Sequence, residues 1–237
     1  MSKKNILVIG DVHHKISRVE KALSGWKGRV IFIGDYFDDF NDSPFESSLM
    51  AEWLKESLKD PLRIHLCGNH DLSYMALPYK YSCSGFTISK YNIINQILTR
   101  EDWNKISFFH DENDFWFSHA GIKRFWFSDP ILGINAEIIK NKIKKATEDI
   151  LLGPSEENKC IWASDFHRGG RFKDGGLLWA HYSDVEFYEG ITQIIGHTYC
   201  KKIEFLDDDG GKCINVDTNM NQVLEITEDK QFIVHDL

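Results

Sequence analysis

No stretch of this chain approaches the ~20 consecutive apolar residues that a membrane-spanning helix requires. The start, MSKKNILVIGD, has the short basic opening of a secretion signal, but its apolar run Ile6–Ile9 ends at once in Gly10-Asp11, far short of a secretory core. Cysteine is sparse. Cys67, Cys83, Cys160, Cys200 and Cys213 are odd in number, scattered and without a CxxC, which excludes a disulfide framework and a thiolate zinc site and reads as buried or idle thiols in a reducing compartment. These absences point to a cytoplasmic protein with no membrane partner. Positive charge is also short: 28 Lys and Arg face 36 Asp and Glu, for a net −8. A general nucleic-acid-binding surface needs a basic footprint and is excluded. A nucleotide substrate is not, because bound cations can reverse the field inside one cleft. Internal repeats and low-complexity blocks are absent too, and 42% hydrophobic and 13% aromatic content supply a sizeable core rather than the apolar-poor composition of disorder.

What is present begins with a regular alternation. Apolar runs at Asn5–Ile9, Val30–Ile33 and Leu62–Leu66 are separated by helical stretches around Ile16–Leu23 and Glu46–Leu58, the second with Leu49, Trp53, Leu54 and Leu58 on one side. Short β-rich runs separated by helices predict βαβ units and a parallel sheet. Further on, Tyr91–Leu98 reads as helix, Phe115–Ser118 as a buried strand ending in His119, and Ile134–Leu152 as a long amphipathic helix. The cluster Lys140, Lys142, Lys144 and Lys145 on that helix reads as a solvated face. Residues 153–176 are rich in Gly, Ser and charge and are expected to form a long loop near the active site within a single domain, 1–237. Runs at Ile191–Ile195, Ile203–Leu206, Cys213–Val216, Val223–Ile226 and Phe232–Val234, parted by turn signals such as Asp207–Gly211, suggest antiparallel strands.

The strand ends carry the chemistry. The first three runs stop in Gly10-Asp11, Gly34-Asp35 and Gly68-Asn69, and ligands in open α/β sheets bind beyond the carboxyl ends of strands. Asp11 and His13 stand two residues apart, so in extended chain they point to one side and can reach one cation. Asp35 has two oxygens and can bridge two ions. Asn69 offers a neutral oxygen, His70 an imidazole, and His119 and His197 one imidazole each. Oxygen and imidazole without sulfur suit a transition ion, Mn, Fe, Zn or Ni, rather than Ca.

The motifs GDVHH (10–14), GDYFDDF (34–40), GNHD (68–71), SHAG (118–121) and GHT (196–198), with Gly-Leu-Leu-Trp at 176–179, resemble those of the calcineurin-like metallophosphoesterases. Their style is nearest the branch of phage and eukaryotic serine/threonine phosphatases and dinucleoside tetraphosphatases. The resemblance implies an α/β fold, a four-layer α/β/β/α sandwich with two central mixed β-sheets and two divalent ions at their shared edge, Mn²⁺ first. By position, Asp11 and His13 would bind the first ion, Asp35 would bridge, and Asn69, His119 and His197 would bind the second. A hydroxide bridging the two ions would be the nucleophile. His70 would be the general acid and Asp38 its orienting carboxylate.

The chain departs from the family pattern in having Asp39 where an Arg would grip the phosphate, Phe40 in place of a Gly, and His14 in place of the Gly that closes the first motif. Replacement donors are sought in Arg168, Arg171 or Lys173 of the loop, in Arg124 and in His181. The expected activity is a phosphatase on phosphoprotein or small phosphomonoesters. The alternatives are a phosphodiesterase or nucleotide pyrophosphohydrolase, which the missing Arg favours, and a catalytically silent scaffold, which an intact ligand set argues against.

Overall fold

A computed structural model describes residues 5–39, 41–208 and 210–237. The alternation at the start of the chain becomes β1 (Ile6–Ile9), α1 (Ile16–Leu23), β2 (Arg29–Phe32), α2 (Pro44–Ser57), β3 (Arg63–His65) and α3 (Asn69–Met75). As expected, β1 and β2 are parallel, and so are β2 and β3. Helices α4 (Ile88–Ile97) and α5 (Arg100–Trp103) lead to β4 (Phe109–Glu112) and β5 (Phe115–Ser118). Then come α6 (Arg124–Phe127), α7 (Ala136–Thr147), α8 (Lys159–Trp162) and the strands β6 (Thr192–Ile195), β7 (Glu204–Asp208), β8 (Gly211–Asn215), β9 (Gln222–Ile226) and β10 (Phe232–Asp236).

The strands form two mixed five-stranded sheets, ordered β10-β9-β1-β2-β3 and β4-β5-β6-β8-β7. Alternation along each strand explains how they stack. Ile6, Val8, Ile31 and Ile33 from the first sheet meet Phe115, Phe117, Ile194 and Ile214 from the second in one buried cluster. The opposite faces, with Leu7, Ile9, Val30, Phe32 and Trp116, pack in a second cluster with side chains of the helices, Val19, Met50, Leu54, Ile94, Ile139 and Ile143 among them. Helices therefore cover the outer face of each sheet, the four-layer arrangement that the motifs implied.

Local chemistry sets the element starts. Ser43 caps α2 in a reciprocal capping box with Glu46, with Pro44 at the first helical position. Asn135 caps α7 through the N–H of Ile138.

Three expectations need correction. The helix read over Ile134–Leu152 ends at Thr147, and Ile150–Leu152 forms a separate 3-10 turn. The buried face of α2 is Ser47, Met50, Ala51, Leu54 and Ser57, while Leu49 is exposed, because small residues let α2 lie close to α4. The tail is not wholly antiparallel: β6 runs parallel to both β5 and β8, while β7–β8, β9–β10 and β9–β1 are antiparallel. The stretch 153–176 contains α8 and a 3-10 turn at Phe166–Arg168, which buried Asp165 caps through the N–H of Arg168.

Candidate active site

Five loops leaving the carboxyl ends of strands β1, β2, β3, β5 and β6 converge. The loops after β1 and β2 are stitched by backbone bonds, in which the N–H groups of Val12 and His13 both donate to the Asp35 carbonyl at 3.0 and 2.8 Å. The loop after β3 joins through Asp71, whose carboxylate accepts the N–H groups of Asp35 (2.8 Å), Tyr36 (2.9 Å) and Gly68 (2.8 Å). Asp11 reaches across the two sheets and accepts the N–H of His197, 186 residues away, at 3.1 Å. His13, Asp35, Asp38 and His197 hold left-handed backbone, φ 41°, 49°, 63° and 66°. Such backbone costs an L-residue roughly 1–2 kcal/mol, and strain of this kind persists where surrounding structure enforces it. His14 is also left-handed, φ 60°, which accounts for the glycine that the motif pattern has there.

The small residues before the ligands matter through the space they leave. A Cβ on Gly68 would stand 2.0 Å from Asp35 Oδ1, and one on Gly196 would stand 2.2 Å from Asp11 Oδ1.

Two groups of possible metal ligands share Asp35: Asp11, His13 and Asp35, and Asp35, His119 and His197, with the ligand atoms of each group within 4.8 Å of one another. Hydrogen bonds behind them set the tautomers. A carbonyl only accepts, so Nδ1–H of His119 donates to the Ile33 carbonyl (3.0 Å), and Nδ1–H of His13 donates to the carbonyls of Phe37 (3.1 Å) and Asp38. Each ring then presents Nε2 inward, the usual way a protein orients a metal-binding histidine. Around His119 Nε2 stand Asn69 Oδ1 at 2.9 Å, His197 Nδ1 at 3.2 Å and Asp35 Oδ2 at 3.3 Å. Asn69 turns its amide nitrogen the other way, toward Cys83 Sγ at 3.4 Å. Lone pairs facing lone pairs need positive charge between them.

The electrostatics agree. Burial and the neighbouring Asp217 and Asp35 raise Asp11 well above the ordinary carboxylate range. Burial works against the charge of Asp35, yet the rings of His119, His70 and His13 outweigh it and hold that carboxyl low. Burial also opposes charge on His119, but Asp35 and Asp11 prevail and raise it to about 10, a measure of how strongly this point attracts a cation. His197 is held neutral by burial, His119 and Arg168, and its buried Nε2 has no hydrogen-bond partner among the described residues. Buried like charge without a counter-ion is costly, so the residues present fit divalent ions.

Beside the ligand groups, His70 Nδ1 donates to Asp38 Oδ2 at 3.0 Å. Tyr74 Oη donates to the other oxygen of Asp38 at 2.5 Å, and buried Lys90 Nζ lies 3.1 Å from it. Burial opposes charge on His70, but Asp35 and Asp38 raise its pKa above the ordinary histidine value.

A calcineurin-like phosphoesterase family model matches residues 4–201. The chain belongs to this family. It is therefore a phosphoester hydrolase, and the family is metal-dependent. A cold-active protein-tyrosine phosphatase of the psychrophile Shewanella sp. is similar in structure, at 17% identity and TM-score 0.61, covering 98% of this chain and 80% of that one. A protein serine/threonine phosphatase from Saccharomyces cerevisiae has 15% identity and TM-score 0.55, covering 98% and 79%. A candidate diadenosine tetraphosphatase has 15% identity and TM-score 0.54, covering 99% and 94%. At these identities the likenesses speak for the fold. No curated protein sequence matches the chain significantly. Among the described residues, no helix is long and apolar enough to cross a membrane.

The sought phosphate donors have separate fates. Arg168 Nη2 donates to the His197 carbonyl (3.1 Å) and to Thr198 Oγ1 (2.7 Å), which puts it against the centre. His181 stacks on His167 and bonds Ser183, and its N–H donates to Asp165. Arg124 lies over the Tyr188 ring, 5.0 Å from its centroid. Arg171 and Lys173 are exposed. Asp39 pairs with Lys15 at 3.1 Å. Phe40 lies outside the described residues. Sequence reasoning missed Asp71, Lys90, Tyr74 and Asp217. For Asp217 a signal existed, since it follows the apolar run Cys213–Val216 as Asp11 follows β1.

Proposed function

We propose that Asp11, His13 and Asp35 hold one divalent transition ion and that Asp35, Asn69, His119 and His197 hold a second, with Mn²⁺ preferred over Fe, Zn or Ni. On this reading a single catalytic domain, flanked by the 153–176 loop, hydrolyses a phosphomonoester on a protein or small molecule in the reducing cytoplasm, where its five cysteines stay free. The observation that carries it is the inward convergence of lone pairs on Asp35, Asn69, His119 and His197, with the His70–Asp38 pair beside them.

Bound there, the ions would supply Lewis acidity, an acidified water nucleophile and charge neutralisation at the phosphoryl oxygens. The chain's own residues do the rest. Asp38 fixes the His70 ring through Nδ1, so Nε2 presents its proton to the leaving oxygen, and the nearby Asp35 and Asp38 carboxylates favour the protonated ring. Lys90 and Tyr74 hold Asp38 in turn. Arg168 steadies the backbone that presents His197 and is the donor of the sought set that bonds to a ligand-bearing loop.

Metal analysis of the purified protein, combined with a hydrolysis screen over monoesters, diesters, dinucleotides and phosphopeptides, tests the reading. Fewer than one ion per chain together with no hydrolysis of any ester would overturn it. A phosphodiesterase is the second reading, because a diester carries less charge for the missing Arg to neutralise, and the same screen separates it.

A further inference from the structure

A cavity of about 730 Å³ opens directly beside His70, within the ordinary size of a small-molecule site and far larger than one phosphate group. His70 lines it, so under the proposed acid role the group that departs with the protonated oxygen must lie in this cavity. Its walls carry four carboxylates, Asp38, Asp39, Asp42 and Asp217, against two ammonium groups, Lys15 and Lys90. Both ammonium groups are committed. Lys15 is paired with Asp39 at 3.1 Å, and Lys90 is buried between Asp38 and Asp42. A second phosphate on the leaving group would therefore meet carboxylates and no uncommitted ammonium group.

Asp42 adds an independent observation. Its side chain is 5% exposed; Oδ1 pairs with Lys90, while Oδ2 accepts no hydrogen bond among the described residues and has His14 Nδ1 3.4 Å away. Asp42 lines the cavity, so this oxygen, with no hydrogen bond to offset its charge, adds to the negative potential inside it. At the rim Tyr199, 59% exposed and two residues after His197, offers an aromatic face that suits an aryl or cationic group.

We infer that this cavity is the leaving-group subsite and that Asp39 and Asp42 make it select leaving groups carrying positive charge and reject those carrying further phosphates. The substrate class is a monoester on an organic, preferably aromatic, group with basic neighbours, as in a phosphotyrosine peptide flanked by Arg, and not a nucleoside polyphosphate. The inference rests on the phosphoesterase reading above, and its test separates the two. Hydrolysis of p-nitrophenyl phosphate by the Mn²⁺-loaded wild type checks the parent reading alone.

The experiment compares kcat/KM for two phosphotyrosine peptides of equal length, one flanked by Arg and one by Glu, and for diadenosine tetraphosphate. The Arg-flanked peptide should exceed the Glu-flanked one by about tenfold at low salt, with the ratio shrinking as salt screens the carboxylates. Diadenosine tetraphosphate should be the poorest of the three. Asp39→Asn, which removes one carboxylate and releases Lys15, should cut the Arg-to-Glu ratio at least threefold, and Asp42→Asn should do the same by its own route. A ratio near one in the wild type, a preference for the tetraphosphate, or a ratio unmoved in both variants would overturn the inference even while p-nitrophenyl phosphate is hydrolysed.

Discussion

Gly68→Ala isolates the packing that holds the bridging carboxylate. Gly68 has φ −95°, which alanine adopts without strain, so the effect is steric. The added Cβ would stand 2.0 Å from Asp35 Oδ1 and 2.5 Å from the Asp35 backbone nitrogen. Carbon–oxygen contacts settle at roughly 3.3 Å, so Asp35 must retreat by about 1 Å. Rotation of the side chain relieves only the first clash, since the second is with backbone. Displacing a catalytic group by about 1 Å costs on the order of 10²-fold in rate, roughly 3 kcal/mol of barrier. Because Asp35 belongs to both ligand groups, both ions should weaken together. Gly196→Ala provides the contrast. Its Cβ would meet Asp11 Oδ1 at 2.2 Å, while the next atoms are 3.1 and 3.3 Å away, so a side-chain rotation can absorb it. Elemental analysis after desalting, kcat with p-nitrophenyl phosphate and a thermal melt measure the outcome. The expected order of activity is wild type, then Gly196→Ala, then Gly68→Ala, with metal loss in the last exceeding one ion per chain. If Gly68→Ala keeps its metal and stays within about threefold of wild-type kcat, the shared role of Asp35 is refuted.

His70→Ala should retain metal yet slow turnover by ~10²–10⁴, with a smaller loss for nitrophenyl esters, whose leaving group needs no proton; emptying of a metal site in this variant would show His70 to be a ligand. Exhaustive chelation should abolish activity and lower the melting temperature, since ions that bind only the folded state stabilise it, and full activity after verified metal removal would sink the assignment. His65 provides a pH test away from the centre: burial and Arg63 lower its pKa to about 3, and it stacks flat on Phe32 with Tyr36 Oη at 2.8 Å from Nδ1. Its folded pKa lies below the unfolded value near 6.5, so the unfolded chain takes up the proton first and stability falls as pH drops from about 6.5 toward 3. Between pH 7 and 5 this contributes about 2 kcal/mol, so urea midpoints should fall less steeply in His65→Gln; equal slopes would contradict it.

Two kinds of information were legible in the residues alone. The apolar runs that stop in Gly-Asp, Gly-Asn or Ser-His mark strand ends, because period and termination are local properties of the backbone. The parallel β1–β2–β3 core and the candidate ligands at its strand ends followed from them. What the sequence could not determine was distance. Asp11 and His197 stand 186 positions apart and meet only because two sheets pack face to face on Ile6, Val8, Phe115 and Phe117. The face of α2 was misjudged because apolar periodicity favoured Leu49, whereas closeness to α4 rewards the small Ser47 and Ala51. Lys90 looked like any helical lysine, and only the tertiary structure buries it between Asp38 and Asp42, where the Coulomb attraction of two carboxylates offsets desolvation. Candidate ligands are written at strand ends; which residues brace them, and what charge the neighbouring cavity presents, is decided by packing between segments that share no local pattern.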